Sequence, residues 1–254
     1  MTMDQTDAWP FPFWIAHRGG GTLAPENTLA AFRLGAAHGY RAFECDVKLS
    51  ADQRPFLLHD ATLERTSNGQ GAAGERPWAE LSQLDAGSWH SPGHAGEALP
   101  SLQAIAAFVQ GHGYALNVEI KPTPGSETAT GAAVAAACAQ LWAGSSAPLL
   151  LSSFQPEALQ AAQAGAPQIA RALLLETLWL NWLDAARSLG CVAVVTNHRL
   201  MDGALMANLQ AAGLRALCYT VNDVADARRL VALGVHGLIT DAVDRFAPVD
   251  GVAP

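Results

Sequence analysis

Residues Val192 to Val221, VAVVTNHRLMDGALMANLQAAGLRALCYTV, decide the fold. Val192 to Thr196 reads as a strand, Gly203 to Ala212 as a helix and Arg215 to Val221 as a second strand. Two strands joined through a helix are parallel neighbours, and the crossover between them is right-handed. The same unit extends in both directions. Towards the C-terminus come a helix at Val224 to Leu233 and a strand at Gly237 to Thr240. Towards the N-terminus come a helix near Trp179 to Leu189, a strand at Ala170 to Leu175, a helix at Glu157 to Ala164 and a strand at Leu149 to Phe154. Before them lie a helix near Glu127 to Trp142, a strand at Tyr114 to Lys121 and a helix from Ser101.

The N-terminal part departs from this rhythm once. A short apolar run from Phe13 to Ala16 ends in His17, Arg18 and three glycines, Gly19 to Gly21, which as a strand tip leave room for the backbone to approach a ligand. A helix follows over Pro25 to His38, ending near Gly39, and then a strand at Ala42 to Leu49. The connector to the next extended run, Pro55 to His59, is too short for a parallel crossover, so these two segments form an antiparallel hairpin. With that return arm set aside, strands end at His17, Asp46, Lys121, Phe154, Leu175, Thr196, Val221 and Asp241. Eight strands in this alternation predict a (β/α)8 TIM barrel over a single domain, residues 1–254. Residues 61–99, rich in Gly, Ser, Pro and polar groups, read as a small insertion after His59-Asp60, with a brief helix around Trp78 to Leu84. A segment of that length is expected to act as a lid or an inserted subdomain.

Composition excludes several classes of function. Half of the 254 residues are hydrophobic, enough for a large core, and the formal charge of −8 with no basic run disfavours nucleic acid and anionic membrane surfaces as partners. Cys45, Cys138, Cys191 and Cys218 are widely spaced without CxxC pairing, so neither a disulfide framework nor a zinc site is expected, and a reducing compartment fits best. Asp4 and Asp7 stand where a leader would be positive, and Pro10 and Pro12 interrupt the first apolar run. A cytoplasmic, leaderless protein without a membrane span is therefore expected. Oligomeric state is not legible, and a homodimer stays open.

In barrels of this type chemistry sits at the C-terminal ends of the strands. There the first strand carries His17 and Arg18, the second Glu44 and Asp46, the third Glu119 and Lys121, and the fourth Ser152, Ser153 and Phe154. Side chains alternate along a strand, so Glu44 and Asp46 share one face, as do Glu119 and Lys121. Carboxylates gathered in this way are either solvated charges and structural ion pairs, or ligands of a divalent cation. Glu44, Asp46 and Glu119 as three oxygen donors suit Mg2+ or Ca2+ and disfavour zinc. His17 and His59 each end an extended apolar run and are candidates for proton transfer, with Asp60 placed to orient His59. His198, after the sixth strand, is a further residue within reach of the pocket. Arg18 offers a planar fork for phosphate. Lys121 is open to a Schiff-base role, but a neighbouring Glu119 favours an ammonium that binds phosphate oxygen.

Taken together, His17-Arg18-Gly19, Pro25-Glu26-Asn27-Thr28, Glu44-Cys45-Asp46, His59-Asp60, Glu119-Ile120-Lys121, Ser152-Ser153-Phe154, Tyr219-Thr220-Val221-Asn222 and Thr240-Asp241 resemble the glycerophosphodiester phosphodiesterases, in the same order from about Trp14 to Asp241. The inserted stretch, with Glu64 to Gly69 and Asp85 to Trp89, resembles that family as well. The resemblance implies a (β/α)8 barrel that hydrolyses glycerophosphodiesters to sn-glycerol 3-phosphate and an alcohol. It assigns Glu44, Asp46 and Glu119 to one divalent cation, Mg2+ or Ca2+, and His17 and His59 to acid/base work; our own assignment is His17 as base and His59 as acid, an order the sequence leaves open. Arg18, Lys121, Ser152, Phe154 and Tyr219 are the expected substrate contacts, Tyr219 standing where many members have Trp. Water and the glycerol 2-hydroxyl both remain open as the nucleophile. Enzymes acting on intact lipids would need an apolar or basic rim, against which the net charge and the polar insertion speak.

Overall fold

The computed structural model describes residues 9–248; Asp4 and Asp7 lie outside the described residues. Its strands are β1 (Trp14–Ala16), β2 (Ala42–Leu49), β3 (Pro55–Leu57), β4 (Ala115–Ile120), β5 (Leu149–Ser153), β6 (Ala170–Leu175), β7 (Ala193–Asn197), β8 (Arg215–Tyr219) and β9 (Gly237–Thr240). Eight of them run parallel, each hydrogen-bonded to the next from β2 through β4 to β9, and β9 pairs with β1. The pair Ala16 and Phe43 joins β1 to β2 and closes the barrel. β3 turns back antiparallel on β2, with Val47 opposite Leu57. The hairpin and the closed eight-stranded count agree with the sequence reading.

The helices are α1 (Leu29–Ala37), α2 (Trp78–Leu81), α3 (Leu102–Gly111), α4 (Glu127–Leu141), α5 (Pro156–Gly165), α6 (Trp182–Ser188), α7 (Gly203–Ala211) and α8 (Val224–Leu233). Local chemistry sets their starts. Thr28, Ser101, Asp202 and Asp223 each accept a backbone N–H of the first turn, satisfying donors that the helix itself leaves unpaired. α6 differs from expectation, beginning at Trp182 rather than Trp179. Asn181 adopts a left-handed conformation with φ 65°, which a helix cannot pass through, so residues 176–181 form an exposed loop.

Alternation along the strands sorts the interior. One face of each strand packs outward against the helices in the main core, with Phe43, Cys45, Val47, Val118 and Leu151 buried there. The other face fills the barrel with Ile15, Leu150, Leu174, Val195, Leu217 and Ile239. Two residues further along, the inward positions turn polar: Ile15 is followed by His17, Leu150 by Ser152, Leu217 by Tyr219 and Ile239 by Asp241. An apolar plug thus supports a polar layer at the mouth. The inserted segment packs beside it on a small core of its own, in which Phe56, Leu58, Leu63, Leu81 and Leu99 are buried. All four cysteines are unpaired and buried, and no helix among the described residues is long and apolar enough to cross a membrane.

Candidate active site

Three buried carboxylates form the centre of the polar layer. Register places Asp46 of β2 beside Glu119 of β4, and Glu44 one inward step below. One oxygen from each of Glu44, Asp46 and Glu119 lies within 4.8 Å of the others. A cation with oxygen ligands at about 2.0–2.6 Å spans such a separation. Glu44 Oε1 and Asp46 Oδ1 are buried without a hydrogen-bond partner, which is costly unless a ligand takes their lone pairs. The donor set therefore fits a hard divalent cation.

Electrostatics point the same way. Burial, reinforced by the Asp46 carboxylate, pushes Glu44 up to about 8, and burial with Asp46 raises Glu119 as well. Asp46 is also buried, but Arg18, Lys121 and His59, with a hydrogen bond from Asn27, outweigh that and hold it down at about 2. Three carboxylates this close resist sharing negative charge, and a cation relieves that repulsion.

Two histidines flank the cluster in matching arrangements. His17 Nδ1 lies 2.6 Å from Asp241 Oδ1, and His59 Nδ1 lies 2.6 Å from Asp60 Oδ1. A carboxylate only accepts, so in each pair the ring donates from Nδ1 and leaves Nε2 for chemistry. His17 Nε2 is 3.7 Å from Glu44 Oε2. Burial depresses the basicity of His17, yet Asp241 and Glu44 outweigh it and its pKa is raised; for His59 burial prevails and its pKa is lowered.

The cations interleave with these groups. Arg18, at φ 51°, donates its backbone N–H to Glu44 Oε2 at 3.0 Å and its guanidinium to Glu26 at 2.8 Å, with Nε 3.2 Å from Asp46 Oδ2. A left-handed arginine costs roughly 1 kcal/mol, and three carboxylates hold it there. Lys121 Nζ donates to Glu119 Oε1 at 2.9 Å, stands 3.4 Å from Asp46 Oδ1 and lies 5.8 Å from the centre of the Phe154 ring. Burial disfavours its charge, but Glu119 and Asp46 outweigh that and raise its pKa, which keeps the amine from nucleophilic use. Phe154 and Tyr219 meet edge to face at 5.8 Å, and the Tyr219 hydroxyl donates to Glu176 Oε2 at 2.6 Å. Ser152 lies fully buried beside Glu119, its hydroxyl unpartnered. His198 sits apart, 3.4 Å from Asp226 of α8.

Several contributors had no role from sequence. Asn27 makes a reciprocal pair with Asp46, donating Nδ2 to Oδ2 at 2.8 Å and accepting the Asp46 N–H at 3.0 Å. Asn222 donates to Asp241 Oδ2 at 3.2 Å. Arg65, from the inserted segment, clamps Glu26 through both terminal nitrogens and Asp60 through Nε and Nη2. Asp241 had a legible signal, since it stands two residues beyond inward-facing Ile239. The glycines also serve the packing of the β1 tip. A Cβ on Gly21 (φ 59°) would sit 1.9 Å from the Asp241 carbonyl, and one on Gly19 (φ 93°) 2.6 Å from the Phe32 ring. They allow the β1 tip to pack closely against Phe32 and Asp241, and Gly21 also lines the cleft. A cleft of about 480 Å³ opens over His17, Arg18, Glu26, Arg65 and Asp241, with Trp89 at its edge.

Known proteins share this architecture. The sequence model of the Glycerophosphoryl diester phosphodiesterase family matches residues 17–245. A phosphodiesterase of Oleispira antarctica, solved in complex with the product sn-glycerol-3-phosphate, superposes with a TM-score of 0.86 at 34% identity, over 92% of this chain and 95% of that one. Bacillus subtilis YhdW, whose name carries a provisional assignment as a glycerophosphodiester phosphodiesterase, is 34% identical over 93% of this chain and 97% of its own length. The glycerophosphodiester phosphodiesterase of Caldanaerobacter subterraneus is 28% identical over 89% and 93%. By the extent of these matches, the chain belongs to the glycerophosphoryl diester phosphodiesterase family.

Proposed function

We propose that this chain hydrolyses glycerophosphodiesters to sn-glycerol 3-phosphate and an alcohol, as one barrel unit over residues 1–254 with its insertion at about 61–99. The observation that carries the reading is the cluster of Glu44, Asp46 and Glu119, with two unpartnered buried oxygens, set between two histidines whose Nδ1 atoms are each held by a carboxylate. Glu44, Asp46 and Glu119 would hold Mg2+ or Ca2+. When bound, the cation draws charge from the phosphoryl group and so favours attack at phosphorus.

The remaining roles belong to the protein's own groups. Arg18 and Lys121 neutralise phosphate oxygens, both already fixed by carboxylates on the far side. His17, steadied by Asp241, takes the proton of the attacking group, water or the glycerol 2-hydroxyl, as its oxygen bonds to phosphorus; in the second case water afterwards opens the cyclic phosphate to sn-glycerol 3-phosphate. The bond from phosphorus to the leaving oxygen breaks, and His59, steadied by Asp60, returns a proton to that oxygen. Phe154 and Tyr219 wall the side on which an organic substituent lies. Ser152 contributes a hydroxyl beneath Glu119.

A panel of glycerophosphodiesters with different head groups, with products identified, tests the reading. The expected product from every active member is sn-glycerol 3-phosphate with the free head-group alcohol. Release of a phosphorylated head group and free glycerol would contradict the assigned bond.

A further inference from the structure

We propose, on the basis of the phosphodiesterase reading, that Lys48 is a positioning residue for this reaction, holding the backbone of Lys121 so that the Lys121 ammonium meets a phosphate oxygen. Of the fifteen Lys and Arg residues in the chain only these two are lysines, and they stand together at the barrel mouth. Lys48 follows Asp46 by two residues on β2, so its side chain lies on the same face, one step nearer the rim. Register sets it opposite Phe56 of β3, which is fully buried in the core of the inserted segment. The insertion thus covers this side of the hairpin, and Lys48 is only 3% exposed.

An ammonium in that position is expensive. Among the described residues no carboxylate comes within ion-pair distance of Lys48; Asp46, Glu119 and Asp60 attract it from further off, and Lys121 repels it. Its hydrogen bond goes to the Lys121 carbonyl, at 3.1 Å. A buried charge with one neutral partner costs more than that bond returns, and an apolar side chain of similar size would serve the fold better. What accounts for the lysine is the group it holds.

That group is the tip of β4. The ladder between β2 and β4 ends at the pair Val47 and Ile120. Beyond it, Ser153 Oγ donates to the Ile120 carbonyl at 2.7 Å, the Lys121 N–H donates to the Val47 carbonyl at 2.9 Å, and Lys48 Nζ donates to the Lys121 carbonyl. Pro122 comes next and has no N–H with which to continue the pairing. Lys48 therefore ties down the last backbone group before the chain leaves the strand. The Lys121 side chain starts from this residue and ends 2.9 Å from Glu119 Oε1 and 3.4 Å from Asp46 Oδ1. With its backbone fixed, the ammonium keeps one place beside the carboxylates. With the carbonyl released, it follows residues 122–126, which form neither helix nor strand, and a small misplacement of a charge that meets the phosphate is costly.

The test is a double-mutant cycle in excess Mg2+ or Ca2+, with Lys48→Met, Lys121→Met and the two combined. It is read as kcat and KM on glycerophosphocholine and as the calorimetric dissociation constant of sn-glycerol 3-phosphate. Lys48→Met alone should lower kcat/KM about tenfold and weaken product binding, the scale on which supporting residues behind a ligand act. In the Lys121→Met background the same change should cost less than about twofold, because nothing is left for Lys48 to position. Lys48→Arg retains a charged donor and should stay within about threefold of wild type. Wild-type kinetics in Lys48→Met, equal losses in the two backgrounds, unchanged product affinity, or a loss in Lys48→Arg as large as in Lys48→Met would each overturn the role. If Lys48→Met does not fold, Lys48→Gln takes its place in the cycle with the same expected and overturning results. Lack of turnover by wild type on every glycerophosphodiester would overturn the phosphodiesterase reading and this role with it, whereas wild-type turnover with additive losses overturns the role of Lys48 alone.

Discussion

The two sides of the barrel mouth are built on opposite principles. On the β1–β2 side, Arg18, Glu26, Arg65, Asp60 and His59 form one unbroken chain of ion pairs from the strand tips into the inserted segment. On the β6 side, Glu176 makes the last polar links, to Tyr219 and Asn197, and an unpartnered apolar loop follows. The first side fixes groups to within a hydrogen bond, as acid/base chemistry requires. The second presents exposed apolar side chains, Leu178, Trp179 and Leu180, without fixing them.

The comparison breaks most severely if the charged side does not carry the chemistry. His17→Ala and His59→Ala should each lower kcat by about 10²–10⁴, the usual contribution of a positioned acid or base. Steady-state rates within threefold of wild type would remove that histidine from the mechanism.

Arg65 sharpens the comparison, because it reaches His59 only through Asp60. Arg65→Met should reduce turnover about tenfold with alkyl leaving groups, in the range seen when a group that orients a directly acting residue is removed. With p-nitrophenol as leaving group little change is expected, since that leaving oxygen needs no proton. Equal losses on both substrate types would make Arg65 a purely structural residue.

Packing at the β1 tip gives a smaller effect, on stability. Gly21→Ala places a methyl group against the Asp241 carbonyl at a positive φ. A loss of about 1–3 kcal/mol is expected, read from thermal or denaturant unfolding. Smallest of all is an acid-side effect. Hydrogen bonds from Arg65, opposed by partial burial and aided by His59, hold the Asp60 carboxyl below its ordinary range. A depressed carboxyl stabilises the fold fully above its unfolded pKa of about 3.9 and loses that contribution as pH falls. The stability difference between Arg65→Met and wild type should therefore shrink progressively as pH falls below about 4, vanishing only as pH passes through the depressed native value; an offset that stays constant from neutral pH into this range would exclude the Asp60 pair as its source.

The barrel and the charged side were unequally legible in the sequence. Strand and helix alternation, and the polar residues at strand tips, follow from period and parity, and the inward positions of His17, Glu44, Asp46 and Glu119 are the result. The clamp of Arg65 on Glu26 is not of that kind, because it joins residues 39 positions apart through a segment with no periodicity. Gly19 to Gly21 suggested clearance for a ligand; a glycine run shows only that something comes close, and Phe32 and Asp241 do, a packing role the sequence did not show. The apolar rim was hidden twice: Trp179 to Asn181 continues a helical pattern until Asn181 turns left-handed, and net charge averages over a surface whose patches differ.

The carboxylate centre is open to one decisive measurement, release of sn-glycerol 3-phosphate from glycerophosphocholine before chelation with EDTA, after it, and after Mg2+ or Ca2+ is restored, for wild type and Glu44→Gln in parallel. Wild type should lose activity on chelation and regain it with one of the two cations, and Glu44→Gln should require much more of that cation for the same rate. Release that continues undiminished in metal-free wild-type protein would contradict the account.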